Sequence, residues 1–202
     1  MALTAAGELY SWGGGADGRL GHSSRGDELK PRRVEALQAV AGISAGSEHS
    51  AAWSAEGAMW TWGDGTSGQL GHGNGNDQFV PCLVEALAGK KVVGVAAGHW
   101  HTVAWTDTGQ LLTWGLDNHG QLGHGDEVMD EDENGDPCLF LPRIVRALEG
   151  QCVVRVAAAY HTLVSTDNDV MFAFGLGASG QLGVSSNLSL TLPTEVAFSF
   201  EQ

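Results

Sequence analysis

A segment of twelve residues that occurs four times constrains the fold of this chain more than any other feature. Its clearest copy is Trp62–Gly73, W-G-D-G-T-S-G-Q-L-G-H-G, and the others are Trp12–Ser23, Trp114–Gly125 and Phe174–Ser185. In each copy the aromatic residue is followed by Gly at +1, Gly at +6, Leu at +8 and Gly at +9. The aromatic residues lie 50, 52 and 60 residues apart, and such a period indicates a repeat architecture. We call this segment the cassette.

The residue types of the cassette are typical of a strand end followed by a tight loop. Each cassette closes a short alternating apolar run such as Met59-Trp60-Thr61-Trp62, which predicts a strand with one buried face. Glycine at +1 can end that strand because it enters positive φ without a Cβ penalty, and the Gly pair brackets a Leu that we expect in the core. We therefore assign structural roles to Trp12, Gly18, Leu20, Gly21, Trp62, Gly68, Leu70, Gly71, Trp114, Gly120, Leu122, Gly123, Phe174, Gly180, Leu182 and Gly183. We expect Gly68→Val or Gly120→Val to unfold the repeat unit, a propeller blade as argued below, to which the glycine belongs.

A second signature, rich in small residues, precedes the later cassettes. It reads I-S-A-G-S-E-H at 43–49 and V-A-A-G-H-W-H at 95–101, and a third copy at 156–161 is one residue shorter. A histidine that recurs in every unit, as His49, His101 and His161 do, indicates a hydrogen-bonded structural group rather than a catalyst. His99 and His101 form an H-x-H pair, but no third ligand lies nearby in sequence, so we assign no metal site.

Each unit offers about four short strands separated by Gly, Pro and Asn/Asp turns, and no helical period of useful length. Four strands per ~50-residue unit describe a propeller blade. We predict an all-β protein, a β-propeller of four-stranded blades, with about four blades in a single repeat domain over 1–202. Its units are a partial repeat at 1–12, repeats at 12–61, 62–113 and 114–173, and a partial repeat at 174–202. We expect a fragment of a longer ring, or a chain that a partner completes, with self-association through its open blade edges.

The combined pattern W-G…G-Q-L-G-H-G…P…V…A-A-G-x-x-H-T closely resembles the repeat of the regulator of chromosome condensation family, over nearly the whole chain. That resemblance implies a seven-bladed propeller, incomplete here, and a non-enzymatic protein–protein interaction scaffold that presents loops on rigid blades. Phe174 in place of Trp, Val184 in place of His and Ala159 in place of Gly make the last copy degenerate. Ultraviolet sensing, which the family also includes, relies on a G-W-R-H-T motif that neither Gly46–His49 nor Gly98–His101 matches.

The non-repeating feature of the sequence is an acidic insertion at 126–136, where the third unit carries extra residues before Pro142. Its carboxylates form the candidate partner-binding loop, and they are Asp126, Glu127, Asp130, Glu131, Asp132, Glu133 and Asp136. Like charges keep such runs extended and solvated, so we expect neutralisation of Asp130–Glu133 to leave folding intact. The segment D-x-D-x-N-G at 130–135 matches the start of a calcium loop, but Leu141 stands where the bidentate Glu belongs, so we assign no metal.

Charge and cysteine content limit the classes of partner and compartment. A formal charge of −14 with scattered basic residues argues against a nucleic-acid surface, which needs clustered Lys and Arg. No apolar run approaches the ~20 residues of a membrane helix, and no secretory signal opens the chain. Cys82, Cys138 and Cys152 show no C-x-x-C spacing and fit a reducing compartment. We expect an intracellular protein, cytoplasmic in preference to nuclear, that binds neither nucleic acid nor membrane directly.

No sequence motif indicates catalysis. The chain has no phosphate-binding G-x-x-x-x-G-K-[ST] loop and no G-x-S-x-G elbow, and no helix follows the cassette glycines as a dinucleotide site would require. We therefore expect no catalytic residue and no cofactor. The alternative function, implied by the family's namesake, is guanine-nucleotide exchange on a Ran-like small GTPase, in which the acidic insertion competes with phosphate. The expected partner is thus a protein, with a small GTPase and a larger parent chain as candidates.

Overall fold

The computed structural model describes residues 1–127 and 129–197, which form four antiparallel sheets arranged as successive blades. The first sheet contains β1 (Ala2–Leu3), β2 (Leu9–Gly13) and β3 (Glu28–Arg33) in that order, and the second contains β4 (Val40–Ala45), β5 (His49–Ser54), β6 (Met59–Gly63) and β7 (Gln78–Leu83). The predicted all-β propeller architecture is confirmed, and the blades form an open arc.

The fourth sheet repeats the order of the second, and the third repeats it with one added strand, β11 (Asp130–Glu131), at its outer edge. The third has the order β11-β12-β10-β9-β8, and its strands are β8 (Val92–Ala97), β9 (His101–Thr106), β10 (Leu111–Leu116), β11 (Asp130–Glu131) and β12 (Pro137–Ile144). The fourth runs β13 (Val153–Ala158), β14 (His161–Thr166), β15 (Met171–Gly175) and β16 (Leu190–Glu195). Single 3-10 turns occur at Ala16–Gly18, Glu85–Leu87 and Arg146–Leu148.

The blades are offset from the repeat intervals that the sequence suggests. The first strand of a full blade leads into the small-residue signature, and its last strand follows the cassette. The second blade, for example, extends from Val40 to Leu83. The cassette therefore lies inside a blade, between its third and fourth strands, whereas an interval counted from one aromatic residue to the next crosses a blade boundary.

A glycine bulge separates the last two strands of every blade. The register shifts between Thr61 and Gly63 and between Thr113 and Gly115, and the other two blades show the same shift. Gly63 has φ 109 and Gly115 φ 100, in the region that favours glycine, so the +1 glycine turns the chain out of the ladder.

The hydrophobic core lies between neighbouring sheets. One cluster joins Met59 and Val84 of the second blade to Leu112 and Trp114 of the third, and a second cluster continues from the third blade to Phe174 in the fourth. Each fully buried Val, Leu or Phe side chain contributes roughly 1.5–3 kcal/mol, so adjacent blades stabilise one another chiefly by burial. Among the described residues, no helix is long and apolar enough to cross a bilayer.

Candidate functional site

The cassette glycines lie where neighbouring blades approach most closely. A Cβ on Gly68 would lie 2.6 Å from the Leu139 carbonyl oxygen, and one on Gly120 would lie 2.5 Å from the Thr191 Cα, both on the outer strand of the next blade. A Cβ on Gly71 would lie 2.8 Å from Trp114 Nε1. The +6 and +9 glycines therefore permit blade-to-blade contact, in addition to adopting positive φ.

The backbone carbonyl at +7 of each of the first three cassettes links one blade to the next. The Gln69 carbonyl accepts a hydrogen bond from Trp114 Nε1 at 3.0 Å and another from Thr102 Oγ1 at 2.7 Å. The Arg19 carbonyl accepts from Trp62 Nε1 at 3.0 Å in the same way. Trp62 and Trp114 are thus both core residues and hydrogen-bond donors, a role that residue spacing alone did not reveal.

Trp12 departs from the buried position expected of a cassette aromatic. Its side chain is 41% exposed, whereas Trp62, Trp114 and Phe174 are completely buried. The buried ones pack against the cassette of a preceding blade, and no blade precedes Trp12 among the described residues. Trp12 therefore does not contribute to the core of this structure, unlike the other three cassette aromatic residues. The four cassette leucines, Leu20, Leu70, Leu122 and Leu182, are all buried.

A hydroxyl–histidine pair fixes the loop of each of the first three cassettes. Thr113 Oγ1 donates to the Leu122 carbonyl at 2.7 Å and contacts His124 Nε2 at 2.9 Å, so this hydroxyl accepts from the ring nitrogen. Burial, with the Arg143 charge as a lesser cause, lowers the pKa of His124 to about 4. The fourth blade has Ala173 and Val184 at these two positions, so both partners of the pair are replaced together.

The recurrent histidines of the second signature connect blades and are shielded from solvent. His49 Nε2 lies 2.8 Å from Thr102 Oγ1, and His101 Nε2 lies 3.0 Å from Thr162 Oγ1. Thr102 donates its only hydrogen to the Gln69 carbonyl, so it accepts from His49 Nε2 and Nδ1 is the unprotonated nitrogen. Burial lowers the pKa of His49 to about 4 and that of His101 to about 3. These are neutral structural groups, and His161 is the half-buried last member of the series.

The acidic insertion is more ordered than its charge suggests. β11 within it pairs with β12, with Asp130 opposite Cys138 and Glu131 opposite Pro137. Asp126, Glu127, Asp130, Glu131 and Glu133 are exposed, Asp136 is half-buried and Asp132 is buried.

Asp132 holds the insertion against the second blade. Its carboxylate accepts from Ser67 Oγ at 2.9 Å, from the Asn134 amide at 2.9 Å and from the Asp136 amide at 3.1 Å. Asp132 therefore organises the loop and is not part of the surface open to a partner, which corrects the expectation of a solvated run. No group of three or more metal-ligating side chains occurs among the described residues.

The insertion lies at the same end of the blades as the cassette loops and the short connections that follow β4, β8 and β13. We call this end the loop face; its described segments are 14–27, 46–48, 64–77, 98–100, 117–127, 129–136, 159–160 and 176–189. Backbone hydrogen bonds tie these segments together, such as Asp64 N to the Glu48 carbonyl at 3.0 Å. Burial raises the pKa of Asp117, on this face, to about 6.

Sequence reasoning did not anticipate an aromatic cluster on the loop face. The His99 ring centroid lies 3.9 Å from that of Trp100 and 4.4 Å from that of Tyr160. Trp100 Nε1 donates to Glu48 Oε2 at 3.2 Å. Glu48, His99, Trp100 and Tyr160 all occupy the variable positions just before the recurrent histidine. This shared position in the repeat could have predicted from the sequence that they lie together.

Comparisons with known proteins agree with this architecture. The model of the regulator of chromosome condensation (RCC1) repeat matches residues 6–53, 56–105 and 108–164. The chain belongs to the regulator of chromosome condensation (RCC1) repeat family.

Two relatives show how such repeats occur in longer proteins. The chain is 34% identical over 205 residues to the ultraviolet-B receptor UVR8 of Arabidopsis thaliana, covering 100% of this chain and 44% of the receptor. It is 37% identical over 207 residues to the human E3 ubiquitin-protein ligase HERC2, covering 96% of this chain and 4% of the ligase.

Solved structures share the fold. Prp20p from Saccharomyces cerevisiae, studied for its binding to Gsp1p and histones, aligns with a TM-score of 0.85 and 21% identity over 98% of this chain and 48% of Prp20p. Human WBSCR16 aligns with a TM-score of 0.79 and 25% identity over 96% of this chain and 48% of that protein. The chain thus spans about half the length of these structures and of UVR8.

Proposed function

We propose that this chain is a non-enzymatic protein-binding scaffold whose loop face meets the partner. The observation that carries the proposal is that repeating and non-repeating polar residues lie in different parts of the structure. The repeating ones, such as Thr102, His101 and Thr113, are used in bonds between or within blades. The acidic insertion and the cluster of His99, Trp100 and Tyr160 do not repeat, and both lie on the loop face, where loops on a rigid scaffold commonly take binding roles.

Affinity capture with charge-matched variants tests this proposal. The loop variant carries Asp126→Asn, Asp130→Asn, Glu131→Gln and Glu133→Gln, and its control carries Glu56→Gln, Glu85→Gln, Glu149→Gln and Asp167→Asn. All eight residues are exposed, and both variants lose the same number of charges. We expect proteins retained by the wild type to be retained by the control and lost by the loop variant. Equal retention by all three would contradict the proposal.

The second candidate function is guanine-nucleotide exchange on a Ran-like small GTPase. The observation that favours it is the exposed acidic insertion on the loop face, since carboxylates can compete with nucleotide phosphates for the GTPase's lysine. The binding of Prp20p to Gsp1p supports it by analogy. Catalytic amounts of the chain should then accelerate the release of fluorescent GDP from a panel of Ran-family GTPases. Unchanged release across the panel would reject this function.

We also propose that the end faces of the arc meet further blades, those of a larger parent chain or of a second copy. The support is Trp12, whose exposed indole is equivalent to indoles that donate to a carbonyl of the neighbouring blade. For the second copy, sedimentation equilibrium should show association that rises with concentration and is weakened by Trp12→Ala. A monomer at every concentration would exclude self-association.

For location, we propose an intracellular protein, cytoplasmic in preference to nuclear. The support is that Cys82, Cys138 and Cys152 are free thiols, as a reducing compartment maintains them. Imaging of the tagged protein at its native expression level checks this, and accumulation outside the cell would contradict it.

A further inference from the structure

Three connections of the loop face form a shallow aromatic groove, defined by Glu48, His99, Trp100 and Tyr160. The Trp100 and Tyr160 rings are nearly perpendicular, with an interplanar angle of 82° and centroids 5.9 Å apart, and His99 lies against both rings. Tyr160 is 40% exposed, although its ring packs against two other rings. The cluster therefore places a partly exposed aromatic ring at the surface of the loop face.

The floor of the groove is rigid and made of small residues. A cavity of about 380 Å³ lies over the ends of β4, β8 and β13. Of the four groove residues, His99 and Tyr160 line this cavity, together with small residues such as Gly46, Gly98 and Ala159. The His99 amide donates to the Ala159 carbonyl at 2.9 Å, and the Ala97 amide donates to Ser44 Oγ at 2.9 Å, so adjacent blades hold the groove in shape. A side chain that enters loses little of its binding energy to reorganisation of the protein.

The electrostatic surroundings of the groove favour a cation. The loop-face segments carry more than half of the chain's 24 acidic residues: Asp17, Asp27, Glu48, Asp64, Asp77, Asp117, Asp126, Glu127, Asp130, Glu131, Asp132, Glu133 and Asp136. The Lys and Arg residues in those described segments are Arg19 and Arg25, and each is paired, with Asp17 and Asp77 respectively, at 3.0 Å. Potentials of one sign over a surface steer ligands of opposite charge to it.

We propose that the aromatic groove binds an arginine side chain in a basic segment of a protein partner. This inference rests on the proposed scaffold function and names the chemistry of the partner. The guanidinium stacks on the exposed Tyr160 ring and pairs with Glu48, whose Oε2 already accepts from Trp100 while Oε1 has no hydrogen-bond partner among the described residues.

Arginine fits this groove better than lysine. A guanidinium is planar, stacks on aromatic faces and is less strongly hydrated than an ammonium, so it gains more from a site with ring faces and one carboxylate. An acidic partner, including nucleic acid, is disfavoured by the charge of the whole face.

The test is a titration with a fluorescein-labelled Gly/Ser peptide that carries four arginines, followed by fluorescence anisotropy above neutral pH at physiological salt. Two pairs of variants separate the groove from general charge attraction. Glu48→Gln removes one negative charge from the groove, and Glu56→Gln removes one from the opposite end of the blades. Tyr160→Ala and Trp12→Ala each remove an aromatic side chain of similar exposure, 40% and 41%.

The expected result is a dissociation constant raised about five- to tenfold by Tyr160→Ala and by Glu48→Gln, and less than about twofold by Trp12→Ala and Glu56→Gln. Tyr160→Phe should bind as the wild type does, and a peptide with four lysines should bind more weakly. Thermal melts of each variant exclude misfolding as the cause.

Equal weakening by Glu48→Gln and Glu56→Gln would overturn the proposal, because the attraction would then follow net charge alone. Unchanged binding by Tyr160→Ala would also overturn it. Neither result affects the scaffold function, which is judged separately by the capture experiment with the loop variant. Conversely, arginine-specific binding in the groove could occur together with equal capture of partners by the wild type, the loop variant and its control. That result would reject the scaffold function and support the groove as an arginine-binding site.

Discussion

At the scale of single residues, two side chains of the same charge in one short loop have different roles. Asp132 is buried and its carboxylate accepts three hydrogen bonds, whereas Glu133 beside it is exposed. Net charge and composition do not distinguish the two, because the difference depends on which carboxylate meets Ser67 of the neighbouring blade.

Asp132→Ala should destabilise the protein by about 2 kcal/mol or more, because it removes bonds to a charged acceptor and leaves buried donors unsatisfied. Glu131→Gln with Glu133→Gln should change the free energy of unfolding by less than about 0.5 kcal/mol. Urea denaturation measures both. Equal stability of the two variants would contradict the structural role of Asp132 and restore the view of the loop as solvated throughout.

Phe174 lacks the indole N–H that Trp62 and Trp114 donate to the neighbouring blade. The Gln121 carbonyl accepts from Thr162 Oγ1 at 2.8 Å, but it lacks the indole donor that the equivalent Gln69 carbonyl has. Gly123 stands against the Phe174 ring as Gly71 stands against the Trp114 indole, so the surroundings of the two aromatic residues correspond.

Phe174→Trp should therefore stabilise the protein by about 1 kcal/mol, the net value of one added hydrogen bond. Phe172→Trp, on the same strand at the position that Trp60 occupies in the second blade, serves as the control. Urea midpoints compare the two variants with the wild type. A loss of stability in Phe174→Trp would mean that the junction has closed around the smaller ring and is overpacked by an indole.

At the scale of the element, the cassette joins two strands within its own blade and also contacts the next blade. Its +6 glycine adopts positive φ in every copy, but only the first three copies meet a following blade. Gly120 and Gly180 therefore share a backbone conformation, φ 80 and φ 73, and differ in what surrounds them.

Gly180→Ala should cost about 1 kcal/mol from the left-handed conformation alone. Gly120→Ala should cost about 1–3 kcal/mol more, because its Cβ would lie 2.5 Å from the Thr191 Cα and force the blades apart. Denaturant unfolding of the two variants gives the difference. Equal costs would show that positive φ, and not blade contact, is why glycine occupies this position.

At the scale of the whole molecule, buried histidines make the stability of the arc depend on pH. Burial lowers the pKa of His49 to about 4 and of His101 to about 3, whereas an unfolded histidine titrates near 6.5. As the pH falls below 6.5 the unfolded chain therefore binds protons that the folded chain does not. Asp117 acts in the opposite sense, because its raised pKa, about 6, adds stability at low pH that is lost as the pH rises through 6.

The histidines outnumber this carboxyl, so the free energy of unfolding should fall between pH 6.5 and pH 4, by about 1.4 kcal/mol per pH unit for each buried histidine before the opposing contribution of Asp117. Urea midpoints across this range measure the fall, and His101→Gln should make it shallower. A midpoint that does not change with pH, or a slope unaffected by His101→Gln, would contradict the assignment.

The sequence by itself determined the blade and its local geometry. The period of the cassette, the alternating strands and the glycines at positive φ depend on interactions within a few residues, which residue type and spacing specify directly. The exposure of Trp12 was missed because burial of that ring needs a neighbouring blade, and the ring itself is of the same residue type as the buried ones.

Only the tertiary structure decided which polar groups meet across blades. Trp62 reaches the Arg19 carbonyl, Asp132 reaches Ser67, and His99 meets Tyr160, although each pair lies more than forty residues apart in the chain. These contacts follow from the twist of each sheet and the packing angle between sheets, which local residue patterns do not specify. The aromatic groove and the buried carboxylate are therefore products of blade packing, whereas the blades are products of the repeat.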